Sequence, residues 1–429
     1  MAGYFFLLGK IQDDNGVITS AKDILRELAQ DGTYSTNLKL TDDTKKWSRT
    51  KVSIFADFFG MKENDYVFFF TDRKIYGVWR MINICGDCKY WSFQGANRII
   101  YDNDSYIKTR LVEDLDPNNR CICFFEPLEC YSYAIDMDEA LTTYPNSFKS
   151  LRVMKDRSFI KLDDEETMAL ISLLHRRNNS ATEDDLVDWT PPEFNRLVHD
   201  IVNRKISVLS PDDNFYRFSI ESLLENFEPW DEDKESEVKT GINMEMAIES
   251  ALVKTLSSES SHLPFDQMSF VTHQVSASPA KPIDYMEWID VFGYSVDEEL
   301  MRLGIPAWLA IKKFYVFEIK RHKLIATSKS GKETVAVKEN KAAANQLMKY
   351  VDWVVKNYAG GNYPMVKGIL VANDYDESFI KYCKEVCIRN YNNGYRNSTP
   401  DEWTDFELIK YSFDNGNISF NKILLDNAI

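Results

Sequence analysis

No run of about 18 uncharged apolar residues occurs in this chain, which argues against a membrane-spanning helix. Cysteine is scarce: seven in 429 residues make no disulfide framework, so a reducing cytoplasm is the expected compartment. Histidine is scarcer still. His175, His199, His262, His273 and His322 form no H-E-x-x-H or H-x-x-x-H pair, which leaves a zinc-protease reading without ligands. Positive charge is in deficit, with 51 Lys and Arg against 67 Asp and Glu for a net charge of −16. A protein that held a polyanion by bulk attraction would not have this balance, so any contact with nucleic acid has to rest on a few placed cations. Walker-type loops, the Rossmann glycine fingerprint and the G-x-S-x-G elbow are absent as well, which removes NTPase, dinucleotide and serine-hydrolase chemistries. The opening MAGYFFLLGKIQDD has neither a basic n-region nor a small-residue cleavage site. It reads as a first strand.

What is present is globular: 44% hydrophobic and 13% aromatic residues over a length suited to two or three domains. Residues 1–178 carry aromatic and β-branched runs (YFFLLGKI, YVFFFTDRKIYGVWRMINI, CICFFEPLECYSY) split by turn signals at Asp14-Asn15-Gly16 and Pro117-Asn118-Asn119. Such a pattern predicts a small β-barrel or strongly curved sheet. Two helices are expected there, AKDILRELAQ capped by Ser20, and DDEETMALISLLHRR with acids in its first turn and Arg176 and Arg177 in its last. Residues 179–240 turn polar and read as a connector, with EFNRLVHDIVNR and FSIESLLENF as short helices and DEDKESEVKTG as a solvated charge run. Residues 241–429 alternate helix and strand, which predicts an α/β domain on a mixed sheet with EELMRLGIPAWLAIK as an inserted helical element. The fold class is therefore α+β multidomain.

The most informative stretch is Phe317-Glu318-Ile319-Lys320. Residues two apart on a strand share a face, so Glu318 and Lys320 point the same way while Tyr315, Phe317 and Ile319 take the other. An E-x-K tripeptide is common, and by itself is most simply an edge-strand ion pair. On an apolar buried strand it carries a desolvation cost that packing does not justify. A divalent cation on the carboxylate, with the lysine steering water and phosphate charge, offsets that cost. Trp288-Ile289-Asp290-Val291-Phe292 supplies a second acid, again alone in an apolar run.

The order of a helix with Glu, a strand with Asp, the E-I-K strand, a Q-L-x-K-Y helix and the strand VKGILVA resembles the PD-(D/E)XK nuclease superfamily over about residues 241–375. The resemblance implies that Asp290 and Glu318 hold Mg²⁺ (Mn²⁺ as a substitute) with the Ile319 carbonyl, and that Lys320 positions or deprotonates the attacking water. Gln346 and Tyr350 match the Q-x-x-x-Y helix motif, and Glu249 matches the auxiliary acid, with Glu245 the competing choice. Arg321, His322 and Lys323 would face DNA. The superfamily's Pro-Asp dipeptide is missing, and Pro282-Ile283-Asp284 offers a rival acid; Asp290 is preferred because it lies in the apolar strand.

Trp47-Ser48-Arg49 followed by SIFADFFGMKENDYVFFFTDRKIYGVWRMI resembles EVE-type domains of the PUA-like superfamily, and FKSLRVMKDRSFIKLDDEETMALISLL resembles their closing strand and helix. That resemblance covers most of residues 1–178 and implies a barrel whose aromatic pocket holds a flipped, often modified, base. A flipped base needs a flat apolar wall with a few hydrogen-bonding groups. Trp47, Tyr76, Trp79 and Trp91 are candidates for the wall, and Arg49 for a phosphate or base contact. The competing use of each aromatic is to fill the core. Trp47 stands out because DDTKKWSRTK gives packing no reason for an indole. The C-x-x-C of Cys85 and Cys88 is a weak zinc signal alone, and Cys121 and Cys123, with one residue between them and Cys130 beyond, have poor spacing for structural zinc, so these cysteines fit better as small buried hydrophobes.

The sequence thus predicts a modification-dependent restriction endonuclease: a Mg²⁺-dependent phosphodiester hydrolase acting on double-stranded DNA, homodimeric because duplex cleavage needs two sites. The alternatives are a structure- or mismatch-specific repair nuclease and a catalytically silent nucleic-acid-binding module. Three costly polar residues kept together speak against the silent module.

Overall fold

The computed structural model describes residues 2–9, 11–12, 16, 18–21, 23–25, 28, 32–37, 49–83, 87–92, 99–101, 120–129, 133–148, 159–180, 206–208, 245–258, 264–277, 287–328, 331, 333–391, 401–414 and 417–424. The chain divides into two compact units, residues 1–218 and 219–429. Among the described residues no helix is long and apolar enough to cross a membrane.

In the first unit, strands β1 (Gly3–Leu7), β2 (Thr33–Asn37), β3 (Tyr66–Thr71), β4 (Lys74–Met81), β5 (Lys89–Ser92), β6 (Arg120–Glu129), β7 (Ile135–Asp136) and β8 (Phe159–Leu162) form one sheet. Its order is β8-β1-β3-β4-β6-β2, with β7 on β4 and β5 on β6. β1 and β3 run parallel and β1 and β8 antiparallel, so the sheet is mixed. The expected barrel is not closed: among the described residues no backbone pairing joins β2 to β8. Side chains meet there instead. The Tyr34 ring of β2 and the Phe159 ring of β8 lie 5.3 Å apart, with Phe6 at 4.8 and 4.9 Å from them. Aromatic bulk fills the interior of a strongly curled sheet and joins its edges through rings, not through a hydrogen-bond ladder.

The alternation along β1 sorts the two sides. Phe6 faces Phe69 and Phe125 inside the curl, whereas Phe5 packs outward with Phe68, Leu170, Leu173 and Leu174. Helix α1 (Arg49–Gly60) lays Phe58 on Phe159. Helix α2 (Asp164–Ser180) starts in a reciprocal cap, the Glu166 amide donating to Asp163 Oδ1 at 2.9 Å and the Asp163 amide to Glu166 Oε2 at 3.4 Å. Ser20 caps as expected, its Oγ accepting from the Asp23 amide at 3.2 Å. The helices expected within 179–240 lie outside the described residues, but Ile206–Val208 forms a strand paired with Ile99–Tyr101.

The second unit contains α3 (Glu245–Ser257), β9 (Phe270–Ser276), β10 (Trp288–Val296), α4 (Glu298–Arg302), β11 (Ile311–Ile319), β12 (Lys323–Leu324), α5 (Val335–Asn357), β13 (Val366–Ala372), β14 (Asp374–Tyr375), α6 (Glu377–Val386), β15 (Phe406–Asp414) and β16 (Asn417–Ile423). The sheet order is β9-β10-β11-β13-β15-β16. Its centre, β11-β13-β15, is parallel and its flanks are antiparallel, the mixed sheet that the alternation predicts. The inserted element is helical, with Asp297 capping α4 by accepting from the Glu299 and Leu300 amides. Helix α5 buries Leu347, Tyr350, Val351 and Val354. It approaches β13 so closely that a Cβ on Gly368 would stand 3.0 Å from Val351.

Candidate active site

The antiparallel register Val291↔Phe317 and Phe292↔Val316, continued by one residue, sets Asp290 opposite Glu318 on one face of the sheet. Val316 pairs with Gly368, whose face α5 covers, so both acids lie at the end of a helix-covered surface. Glu318 is wholly buried. Lys320 Nζ donates to Glu318 Oε1 at 2.5 Å, and the Ile319 amide donates to Asp290 Oδ2 at 2.7 Å. The Lys320 amide donates to the Val371 carbonyl at 2.8 Å, which anchors the backbone as it leaves the strand. Glu318 Oε2 is buried and has no hydrogen-bond partner among the described residues.

Helix α3 brings two more acids, one turn apart. Glu249 is buried, accepts from Gln274 Nε2 at 2.8 Å and lies 3.7 Å from His273 Nδ1. Glu245 Oε1 accepts from the Arg321 amide at 3.4 Å. The sequence left Glu245 and Glu249 as competitors, and the structure turns both toward the site. Burial, reinforced by Glu245 and Glu249 and opposed by Lys320, pushes the Glu318 carboxyl up to about 7. Burial together with Glu318 and Glu249 holds Asp290 well above the usual carboxylate range. Burial by itself would lower Lys320, but Glu318, Asp290 and Glu245 outweigh it and raise the ammonium. One lysine thus faces a surplus of buried negative charge.

That surplus suits a small hard cation. Mg²⁺ takes one or two carboxylates and fills its remaining positions with water and phosphate. Asp290, Glu318 and the Ile319 carbonyl would be such a sparse set, and Glu318 Oε2, which has no partner among the described residues, is an oxygen available to a cation. Among the described residues no group of three or more His, Cys, Asp or Glu forms a ready-made cage.

Gln346 Nε2 donates to the Tyr350 hydroxyl at 2.7 Å, so the pair expected one turn apart is in contact. Burial raises the Tyr350 hydroxyl against the Gln346 bond, and Glu318 and Asp290 add to the rise, so the tyrosine borders the acids. Arg321 engages through its backbone, with its carbonyl accepting from the Tyr411 hydroxyl. His322 meets Asn340 Oδ1 at 2.8 Å, and Asn340, itself buried, donates to the Ile325 carbonyl. Lys323 is exposed and pairs with Asp374 at 3.1 Å. Asp284 lies outside the described residues. Sequence reasoning did not single out Gln274, His273 or Asn340.

In the first unit, Trp47 lies outside the described residues, as do the side chains of Arg49 and Trp91. Tyr76 and Trp79 are corrected: they are 1% and 0% exposed and belong to the core, not to an open wall. Trp79 packs 4.7 Å from Phe69 and lies back over Gly77, where a Cβ would stand 2.2 Å from the indole. A polar group that the sequence did not disclose sits inside the curl. Lys161 is buried with its ammonium 5.6 Å from the Tyr4 ring centre, and Asp65 accepts from the Ala2 and Lys62 amides at 3.0 and 2.9 Å. Burial, opposed by Asp65, pushes Lys161 down to about 8. Cys88 and Cys123 are buried free thiols, and burial raises both, Cys88 to about 12. Burial thus keeps both thiols in the protonated form. Cys85 and Cys130 lie outside the described residues, as does the Cys121 side chain.

No protein-family model matches the chain, and no curated protein matches it. Among solved structures, the chain is similar to human THYN1 protein in complex with 5-methylcytosine-containing DNA, at 13% identity and TM-score 0.24, over 41% of this chain and 98% of that one. It is similar to the DUF55 domain of human thymocyte nuclear protein 1 at 14% identity and TM-score 0.25, over 40% of this chain and 98% of that one. A protein of Pseudomonas syringae matches at 12% identity and TM-score 0.22, over 40% and 99% of the two chains.

Proposed function

We propose that this chain is a Mg²⁺-dependent DNA endonuclease of the PD-(D/E)XK type, a cytoplasmic modification-dependent restriction enzyme whose first unit reads a flipped modified base. The observation that carries the reading is the fully buried Glu318, one oxygen held by Lys320 and the other without a partner among the described residues, with Asp290 on the neighbouring strand. Asp290, Glu318 and the Ile319 carbonyl would hold the cation. When bound, it polarises the phosphodiester and lowers the pKa of water. Lys320 then turns from neutralising Glu318 to positioning the attacking water and stabilising charge on the phosphate. Glu245 and Glu249 keep the surroundings negative, and Gln346 and Tyr350 form the helix-borne wall. Arg321, His322 and Lys323 lead from the site toward the DNA. Cutting both strands calls for a homodimer. The base-reading half rests on Trp47-Ser48-Arg49 ahead of an aromatic curled sheet.

The test is a cleavage panel of unmodified, cytosine-methylated, hydroxymethylated and branched duplexes with Mg²⁺. The wild type is expected to cut a modified duplex, whereas Glu318→Ala and Lys320→Ala keep the fold and lose cleavage. Wild-type cutting by either variant sinks the assignment. Asn substitution of Asp290 and of Asp284 identifies the ligand, because the one that leaves activity unchanged is not it. Cutting confined to the branched duplex would make the chain a repair nuclease.

A further inference from the structure

Gln274 has a left-handed backbone, φ +50°, in the interior of strand β9. Residues with a side chain adopt that conformation rarely and at a cost, and it persists only where the surroundings enforce it, often at functional sites. The register His273↔Val291 and Val275↔Ile289 places this one residue opposite Asp290. Its amide reaches the helix behind, where Nε2 donates to Glu249 Oε2 at 2.8 Å, and that carboxylate is 1% exposed. A strained backbone, a register position against a candidate ligand and a bond to a buried acid thus meet in one side chain.

We propose that Gln274 is a positioning residue that fixes the orientation of the Glu249 carboxylate beside Asp290 and Glu318, and thereby sets the affinity of the site for its divalent cation. This rests on the nuclease reading above. A hydrogen bond from a supporting side chain fixes the direction in which a carboxylate points. An amide does so without adding positive charge, so the acids stay available to a metal. A lysine or arginine there would compete with the cation. Glutamine is also the shortest amide that spans from the strand to Glu249 while asparagine, which suits a left-handed backbone better, falls a methylene short.

The test uses the full chain with Gln274→Gly and Gln274→Asn. Both substitutions accept the left-handed backbone and neither reaches Glu249. Thermal melting, calorimetric titration with Mn²⁺ and the Mg²⁺ concentration for half-maximal cleavage are read together. The melting temperature is expected to hold or rise, while Mn²⁺ binds about tenfold more weakly, the usual loss when a ligand's supporting partner is removed. The Mg²⁺ requirement should rise by the same factor. Unchanged Mn²⁺ affinity in both variants, beside a wild type that binds and cuts, overturns the inference and leaves the nuclease reading standing. A melting temperature that falls in step with affinity in both makes Gln274 a structural residue and overturns it too. A wild type that neither binds Mn²⁺ nor cuts removes the nuclease reading and this inference with it.

Discussion

Lys161 is a cation buried where the ordinary strand pattern FIKL would turn it to solvent. Burial lowers its ammonium from 10.5 to about 8. Between those values the unfolded chain binds more protons than the folded one, so this residue makes stability rise with pH across the window. The shift corresponds to roughly 3 kcal/mol when the whole window is crossed. Raised thiols at Cys88 and Cys123 act in the opposite sense above the ordinary cysteine range. The readable quantity is therefore the difference between wild type and Lys161→Met in urea melts through the window. A difference that does not change with pH would show that Lys161 is not a buried charge. The same scale shows what could be read in advance. Glu318 and Lys320 were legible because two charges on an apolar strand violate the local pattern. Lys161 and Gln274 were not. Lys161 violates nothing until β1 and the curl enclose it, and the role of Gln274 depends on a backbone angle and on an acid 25 residues away.

Strand β4 explains why Trp79 is core. Gly77 takes φ +57°, the pairing of β4 with β6 slips between Val78 and Trp79, and the indole folds back onto the space a Cβ would occupy. A glycine inside a strand signals a bulge, but the signal does not say which way the following side chain turns. Gly77→Ala is expected to combine left-handed strain, about 1–2 kcal/mol, with overpacking of about 1–3 kcal/mol. Gly360→Ala is the control, because its φ is +58° and a Cβ there meets nothing within 4 Å. It should show the strain alone. Equal losses of melting temperature in the two variants would mean that Trp79 moves aside at no cost. The long elements were readable from period, as in α5 with its buried Leu347, Met348, Tyr350 and Val351. The β15–β16 hairpin was missed although Asn415-Gly416 between alternating runs is its usual signal. Barrel closure was not readable. Alternation says which face of a strand is apolar, and whether Tyr34 and Phe159 meet by ring or by ladder depends on curvature accumulated over the whole sheet.

At the scale of the molecule, a net charge of −16 makes sequence-independent attraction to DNA weak, so the proposed recognition and cutting would have to be carried by separate local groups. Phosphate contacts fix register and set the salt dependence, and base contacts set selectivity. An indole stacked on a base contributes about 1–3 kcal/mol. In the full chain, Trp47→Ala should therefore weaken a modified duplex by roughly ten- to a hundredfold. Unmodified duplex should be held as before, and the slope of affinity against salt should not change, because no phosphate contact is lost. Lys320→Ala should do the reverse, keeping modified-duplex affinity while cleavage stops. Fluorescence anisotropy at two salt concentrations, run beside a cleavage assay, reads all four quantities. Equal losses on both duplexes with Trp47→Ala would place that indole in the core with Tyr76 and Trp79 and return the pocket to Trp91. A changed salt slope would mean that Trp47 orders a phosphate-binding segment, and the affinity would then belong to Arg49 and the lysines around it.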